Sequence, residues 1–371
     1  MATEGISIGG TPERFYSNTI NTPVVNPSSK ETQESLKRSF QKYLASEQTS
    51  SGPLFIPSKH LAYEEPTYIH TMEDIGYSAN NGVSPMAVSE PFRLFSEEAV
   101  DVMRDEIFNV EAGDEYTYAS NIAPKQLRGY APRHGKFTFN AWKHPDTLAI
   151  ISKIAGIEVV PVIDYEIAHI NLSVPGNKNE LSGPANDDDD AIVGWHRDSY
   201  PFVCVLMMSD TTNMVGGETA LKTGTGDIRK VRGPSKGCAV VLQGRYIDHQ
   251  ALKAFGGQER ITAVTSFRPR NPHVRDDTVL NTVRPISNLP DLYNQVMEYQ
   301  LENAEARIRG MLKDVRDSMK AGTTDVKAIK HFLDFEIKAL QAVDAEIVEE
   351  SMVVKGHLPP VCESAKRRKS E

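Results

Sequence analysis

Between Trp195 and Arg268 the chain repeats one local pattern, a short apolar, β-prone run followed by a turn that holds glycine. Pro201 to Ser209 (PFVCVLMMS) is such a run. Val215-Gly216-Gly217-Glu218-Thr219 is a turn that restarts a strand, and Cys238 to Gln243 is a further apolar run closed by Gly244. Short strands at this spacing pack as a small β-barrel or sandwich.

The ends of these runs carry metal-binding residue types. Trp195-His196-Arg197-Asp198 precedes one strand, and His249 follows another. Residues two apart on a strand point to the same face, so His196 and Asp198 can grip one ion together, and the third ligand can come from a distant strand. Two histidines and one carboxylate are the ligand set of a facial non-haem Fe(II) site, which leaves positions free for an acid co-substrate and O2. His-x-Asp alone is a weak signal, and its bland alternative is a solvated turn. Here three groups stand in barrel-compatible order. Arg260-Ile261-Thr262 follows. A guanidinium there can clamp the far carboxylate of a dicarboxylic acid, and the Thr262 hydroxyl, two residues on, faces the same way. Arg268 and Arg270 compete with Arg260 for that role but lie near the strand end.

Residues 160–270 resemble the Fe(II)/2-oxoglutarate-dependent dioxygenase superfamily. Its pattern is His-x-Asp, a distant His, and then Arg-x-Ser or Arg-x-Thr shortly after it. His196, Asp198 and His249 fall on the metal ligands, and Arg260 and Thr262 on the residues that hold the far carboxylate of 2-oxoglutarate. Ile167 to Pro175 (IAHINLSVP) is similar to the strand bearing an Asn-Tyr-Tyr element in one branch. Asn171 falls on the Asn, while Leu172 and Ser173 replace the tyrosines. The resemblance implies a double-stranded β-helix (jelly-roll) barrel, with Fe(II), 2-oxoglutarate and O2 as cofactor and co-substrates. It implies oxidation of an unactivated C–H bond of a small molecule, amino-acid-like or a natural product, with release of succinate and CO2. Outside this span there is a looser likeness to fungal oxygenases of secondary-metabolite biosynthesis. A protein or nucleic-acid hydroxylase or demethylase of the same superfamily is the second reading, and a non-catalytic ligand-binding barrel the third.

Composition narrows the partners. The 371 residues suffice for one catalytic domain with helical additions. A net charge of -9 argues against a nucleic-acid-binding surface as the main function. Three cysteines, Cys204, Cys238 and Cys362, suit a reducing compartment rather than a disulfide framework. No apolar stretch reaches the ~20 residues of a membrane span. The cytoplasm is the expected location, with the nucleus as alternative if Lys366-Arg367-Arg368-Lys369 acts as an import patch rather than a solvated end.

The expected architecture is α+β with a mainly β core. Residues 1–50 read as a polar arm with a short helix over Gln33–Ala45, and 51–285 as the barrel domain with its preceding helices. Residues 286–353 read as a helical hairpin and 354–371 as a disordered basic tail. Residues 51–92 read as irregular but packed. Ser96 should start a helix running to about Val110, and His144–Ala155 should form a second that ends near Gly156. Ile157–Val174 should hold two strands broken near Pro161. Asn186 to Asp190 reads as a solvated acidic loop. Ser287–Lys320 and Thr323–Val353 should form two amphipathic helices around Gly322, covering the barrel or pairing with a second copy as a homodimer. The basic, aromatic segment Arg128 to Phe137 reads as a loop. Arg128, Tyr130, Arg133 and His134 on it are candidates for binding substrate, together with His169, which shares the parity of Asn171.

Overall fold

The computed structural model describes residues 52–109, 114–120, 125–173, 191–231, 235–252, 254–255 and 259–358. The arm over residues 1–50, the acidic run at Asn186–Asp190 and residues 359–371 of the tail lie outside them. Residues 354–358 are not the disordered tail expected: the Gly356 N–H donates to the Pro285 carbonyl at 2.9 Å, and Leu358 is buried and lines a cavity.

Two antiparallel sheets form the centre. The strands are β1 Ile69–Thr71, β2 Met86–Ser89, β3 Phe92–Arg93, β4 Thr117–Tyr118, β5 Gln126–Leu127, β6 Val159–Pro161, β7 His169–Ser173 and β8 Ala191–His196. They continue with β9 Phe202–Met207, β10 Val215–Gly216, β11 Thr219–Lys222, β12 Ile228–Val231, β13 Cys238–Leu242, β14 His249–Leu252, β15 Ala254–Phe255 and β16 Arg260–Pro269. The large sheet runs β1-β2-β13-β9-β16-β7-β5-β4, with β3 on β13 and β6 on β16. The small sheet runs β12-β11-β14-β8, and β10 pairs with β15. From β7 to β9, and again from β12 to β16, successive main strands alternate between the two sheets.

The parity of the large sheet separates two environments. On one face Arg260, Thr262, Val264 and Ser266 of β16, Val203 and Val205 of β9, and Val240 and Leu242 of β13 line a cavity that the small sheet closes with His196, Thr219, His249 and Ala251. On the other face Cys204, Leu206, Ala239, Ile261, Ala263 and Phe267 join the main core. That core is capped by α1 Glu97–Asn109, α2 Lys136–Lys143 and α3 Pro145–Ala155. Trp142 of α2 packs edge-on against Phe95 at 5.4 Å.

The helix ends follow local chemistry. Ser96 caps α1, its Oγ accepting from the Ala99 N–H at 3.2 Å. His144 caps α3 through Nδ1, Pro145 opens that helix, and Gly156 ends it at φ 73°. Residues 128–137 are not the loop expected. A short helix spans Ala131–His134, and α2 begins at Lys136. Its signal is hidden because Phe137-Thr138-Phe139 alternates like a strand, while the cap comes from another helix. Glu106 of α1 accepts from the Phe137 and Thr138 N–H groups at 2.7 and 2.9 Å. Residues 51–92 likewise hold β1, β2 and β3. These strands of two to four residues are too short to show a period in the sequence.

The hairpin consists of α4 Leu289–Ala321, capped by Asn288, and α5 Val326–Glu346, capped by Asp325, with Gly322 at φ 63° between them. The base of α4 packs Leu292, Val296 and Tyr299 against Val162, Tyr165, Tyr200 and Leu280. Farther out, Arg307 and Glu336 form a buried two-pronged ion pair between the helices, at 2.5 and 3.0 Å. The second helix stops at Glu346 rather than Val353. Beyond it Ile347–Glu349 run without helix, the Val348 carbonyl accepting from the Tyr293 hydroxyl, and a 3-10 turn spans Glu350–Met352.

Candidate metal centre

His196 ends β8, and His249 starts the neighbouring β14 directly opposite it in register. Asp198 lies just past β8, its N–H donating to the Gly244 carbonyl at 3.0 Å. One ligand atom from each of the three residues lies within 4.8 Å of the others. The two imidazole Nε2 atoms stand 3.5 and 3.4 Å from the two Asp198 oxygens. Each imidazole is held from behind. His196 Nδ1 donates to the Gly194 carbonyl at 2.7 Å and His249 Nδ1 to the Ile247 carbonyl at 3.0 Å. That leaves Nε2 of each ring, the atom a metal would take in exchange for its proton, facing the carboxylate. Asp198 Oδ2 is buried and accepts no hydrogen bond. Three convergent donors and a buried, unsatisfied carboxylate oxygen fit a divalent ion of the Fe(II) class. Burial by itself would raise the Asp198 pKa, but His249 and His196 outweigh it and hold the carboxyl below its ordinary value.

Arg197, between the two ligands, must face away from the ion. It forks onto Asp248 through Nε and Nη2 at 3.0 and 3.1 Å. Asp248 directly precedes His249, so this ion pair clamps the two ligand strands together from behind. The sequence carried a signal for it: opposite charges beside two ligands on adjacent strands share the outward face.

Arg260, at the start of β16, and Thr262 both line the cavity and are buried. Burial lowers the Arg260 pKa. Gly217 passes close to this guanidinium. A Cβ there would sit 3.4 Å from Arg260 Nε, and the φ of 75° favours glycine independently. The rival cations do not line the cavity: Arg268 stacks on Tyr299 at 4.6 Å, and Arg270 pairs with Glu158. Asn171 lies beside Thr262 in register and lines the same cavity.

The substrate candidates divide. Arg128 and His169 line the cavity, as do Gln126, Glu166 and Tyr200, which sequence reasoning missed. Tyr130, Arg133 and His134 do not line it. Tyr130 is fully buried in the core, Arg133 is exposed and paired with Glu115, and His134 packs on Tyr116. The local turn of helix at Ala131 carries them away from the cavity. Arg128 forms a short ion pair with Glu166, itself bonded by the Tyr200 hydroxyl at 3.1 Å. Arg128 Nη1 also donates to His169 Nδ1 at 2.9 Å. A guanidinium only donates, so the His169 proton sits on Nε2, 3.1 Å from the Gln126 amide. Turning that amide over, together with the Asn171 amide that faces it at 3.0 Å, gives Nε2–H an acceptor in Gln126 Oε1, which otherwise is buried without a partner, and keeps a hydrogen bond between the two amides. Burial, and then Arg128, hold the His169 pKa well below its ordinary value, so the ring is neutral. Arg128, Glu166 and His169 together are therefore polar but without net charge, and Lys125 adds a cation to the cavity lining.

No family model matches the chain, and no curated sequence does. Solved structures resemble parts of it. A prolyl-4-hydroxylase from Pseudomonas putida is 17 % identical, with 47 % of this chain and 88 % of that one covered at a TM-score of 0.28. AviO1 from Streptomyces viridochromogenes Tue57 is 15 % identical, covering 50 % and 90 % at 0.35. SnoN, a non-haem α-ketoglutarate-dependent epimerase from nogalamycin biosynthesis, is 14 % identical, covering 47 % and 75 % at 0.33. Among the described residues no helix is long and apolar enough to cross a membrane.

Proposed function

We propose that the protein is an Fe(II)- and 2-oxoglutarate-dependent oxygenase built on a double-stranded β-helix and acting on a small molecule. The carrying observation is one cavity that holds the convergent set His196, Asp198 and His249 together with the buried Arg260. When bound there, Fe(II) with 2-oxoglutarate and O2 supplies the oxidising power to break an unactivated C–H bond, with succinate and CO2 as products. Arg260 clamps the far carboxylate of the dicarboxylic acid, and the Thr262 hydroxyl donates to it. Val203, Val205, Val240, Leu242 and Val264 exclude water from the reacting end. The cavity holds about 190 Å3, small beside the ~300–1,000 Å3 of drug-sized ligand sites. 2-Oxoglutarate held by Arg260 takes part of that volume, so the room left suits a small substrate, with Gln126 and His169 able to face its polar group and the valines its carbon skeleton.

The test is succinate release by purified, Fe(II)-loaded protein against a panel of small molecules, alongside anaerobic 2-oxoglutarate titration. Arg260→Ala should raise the apparent 2-oxoglutarate constant at least ~30-fold, because truncating one partner of a buried charge pair costs ~2–5 kcal/mol. Its Fe(II) affinity should stay at the wild-type value. An unchanged co-substrate constant in Arg260→Ala, or no 2-oxoglutarate binding by the wild type, refutes the reading.

A further inference from the structure

The hairpin has one face that the described chain leaves uncovered. Leu301, Ile308, Leu312 and Met319 of α4 and Val326, Leu333, Ile337 and Leu340 of α5 are exposed, Met319 at 74 % and Ile337 at 57 %. Their heptad-like spacing keeps each set on one stripe. The helices face each other through Arg307 and Glu336. From that contact, the stripe lies about a third of a turn farther round α4 and about a fifth of a turn farther round α5, in the direction of winding. Because the helices run antiparallel, both stripes come out on the same side of the hairpin. The result is a continuous apolar surface of the kind that marks an interaction site.

Its size suits a protein partner. Residues 301–319 span ~27 Å of axis at ~1.5 Å per residue, and two helices side by side are ~20 Å across. That is on the order of 500 Å2 per copy. Two such faces together would bury about 1,000 Å2, the floor for a specific interface.

Charge selects the occupant. Residues 289–305 of α4 carry Asp291, Glu298, Glu302 and Glu305 and no Lys or Arg. Residues 306–321 carry five Lys or Arg against two Asp. The second helix adds Lys327 and Lys330 near the tip, offset by Asp325, Asp334 and Glu336, and Asp344 and Glu346 near the base, so the polarity is carried by the first helix. The hairpin is thus basic at its tip and acidic at its base. Laid antiparallel on an identical hairpin, each tip meets the other's base and the apolar faces coincide. A two-fold axis does both at once, because its interface is made of the same patch on each copy.

We propose that this face pairs with the same face of a second copy, making a four-helix bundle that joins two chains. The pairing is independent of the reaction proposed above. Salt should weaken it by screening the tip-to-base attraction while leaving the apolar contact.

The experiment is sedimentation of the full chain over a range of concentrations, at low and high salt. The wild type should sediment with twice the mass of one chain. Leu312→Glu/Leu333→Glu places charge at two exposed positions and should sediment as one chain, with wild-type circular dichroism and thermal melting. Arg316→Glu should raise the dissociation constant about tenfold at low salt. A wild type that stays monomeric throughout overturns the proposal, as does a dimer unchanged by both variants. Binding of a monomeric wild type to anionic lipid vesicles would also overturn it and reassign the face to a membrane surface.

Discussion

Replacing Gly244 with alanine should remove the metal site while leaving all three ligands in the sequence. An ideal Cβ at Gly244 falls 1.7 Å from Asp198 Oδ2 and 2.6 Å from its Cγ. Non-bonded carbon contacts relax only at ~3.5–4.0 Å, so the carboxylate must retreat by well over ~1 Å. The Asp198 N–H is bonded to the Gly244 carbonyl, which holds the two backbones together, so the side chain has to swing. Ligand distances at a metal tolerate about ±0.2 Å. The displacement therefore removes Asp198 from the donor set. Changes in residues that merely support a ligand cost ~10–100-fold in affinity, so losing a ligand should cost at least about 100-fold, or ~2.8 kcal/mol. Gly194→Ala is the matched control. It also supports the site, its carbonyl accepting from His196 Nδ1, but an added Cβ there meets nothing within 4 Å. The assay is anaerobic Fe(II) titration by calorimetry, with melting curves in the presence and absence of metal. Wild type and Gly194→Ala should gain thermal stability on Fe(II) addition, and Gly244→Ala should not. A folded Gly244→Ala protein that binds Fe(II) within threefold of wild type would falsify the placement of Asp198.

Two further substitutions probe the scaffold. Arg197→Ala should leave stability within ~1 kcal/mol, since its pair with Asp248 is partly exposed. It should still weaken Fe(II) binding ~10–100-fold by freeing His249 from its clamp, and equal Fe(II) affinity on titration would show that the clamp orients nothing. Glu336→Ala should destabilise the protein by ~3–5 kcal/mol in urea unfolding because it strands Arg307 in a buried site, whereas the apolar pair Arg307→Met/Glu336→Leu should be neutral or stabilising. Equal losses in both variants would count against the desolvation argument.

The chemistry of the centre was more legible in the sequence than its surroundings. Metal ligands obey strand parity and residue type, so His196, Asp198 and His249 could be read before any contact was known, and the structure brings the three together. Helices with local caps, at Ser96, His144 and Asn288, could be placed to within a residue or two. Where the deciding group comes from elsewhere in the chain, reading failed. The second helix takes its cap from Glu106 on another helix, and the short strands β2 and β3 exist because β13 offers them a partner. Gln126, Glu166 and Tyr200 escaped for the same reason, since an isolated Glu or Tyr carries no sign that a buried guanidinium waits beside it.

The alternation along β16 has a consequence for how such a protein can change. Every second residue of that strand meets whatever enters the cavity, and the residues between them hold the sheet to its helices. Val203, Val205, Val240 and Val264 can be exchanged for other apolar side chains without touching Phe202, Cys204, Leu206 or Ile261, which point into the main core. The cavity side of these strands belongs to a second, smaller core with Met72, Ile75, Leu221 and Tyr246, and the other side to the main core under the helices. A lineage could retune its substrate in single steps that disturb the smaller core and leave the main one alone.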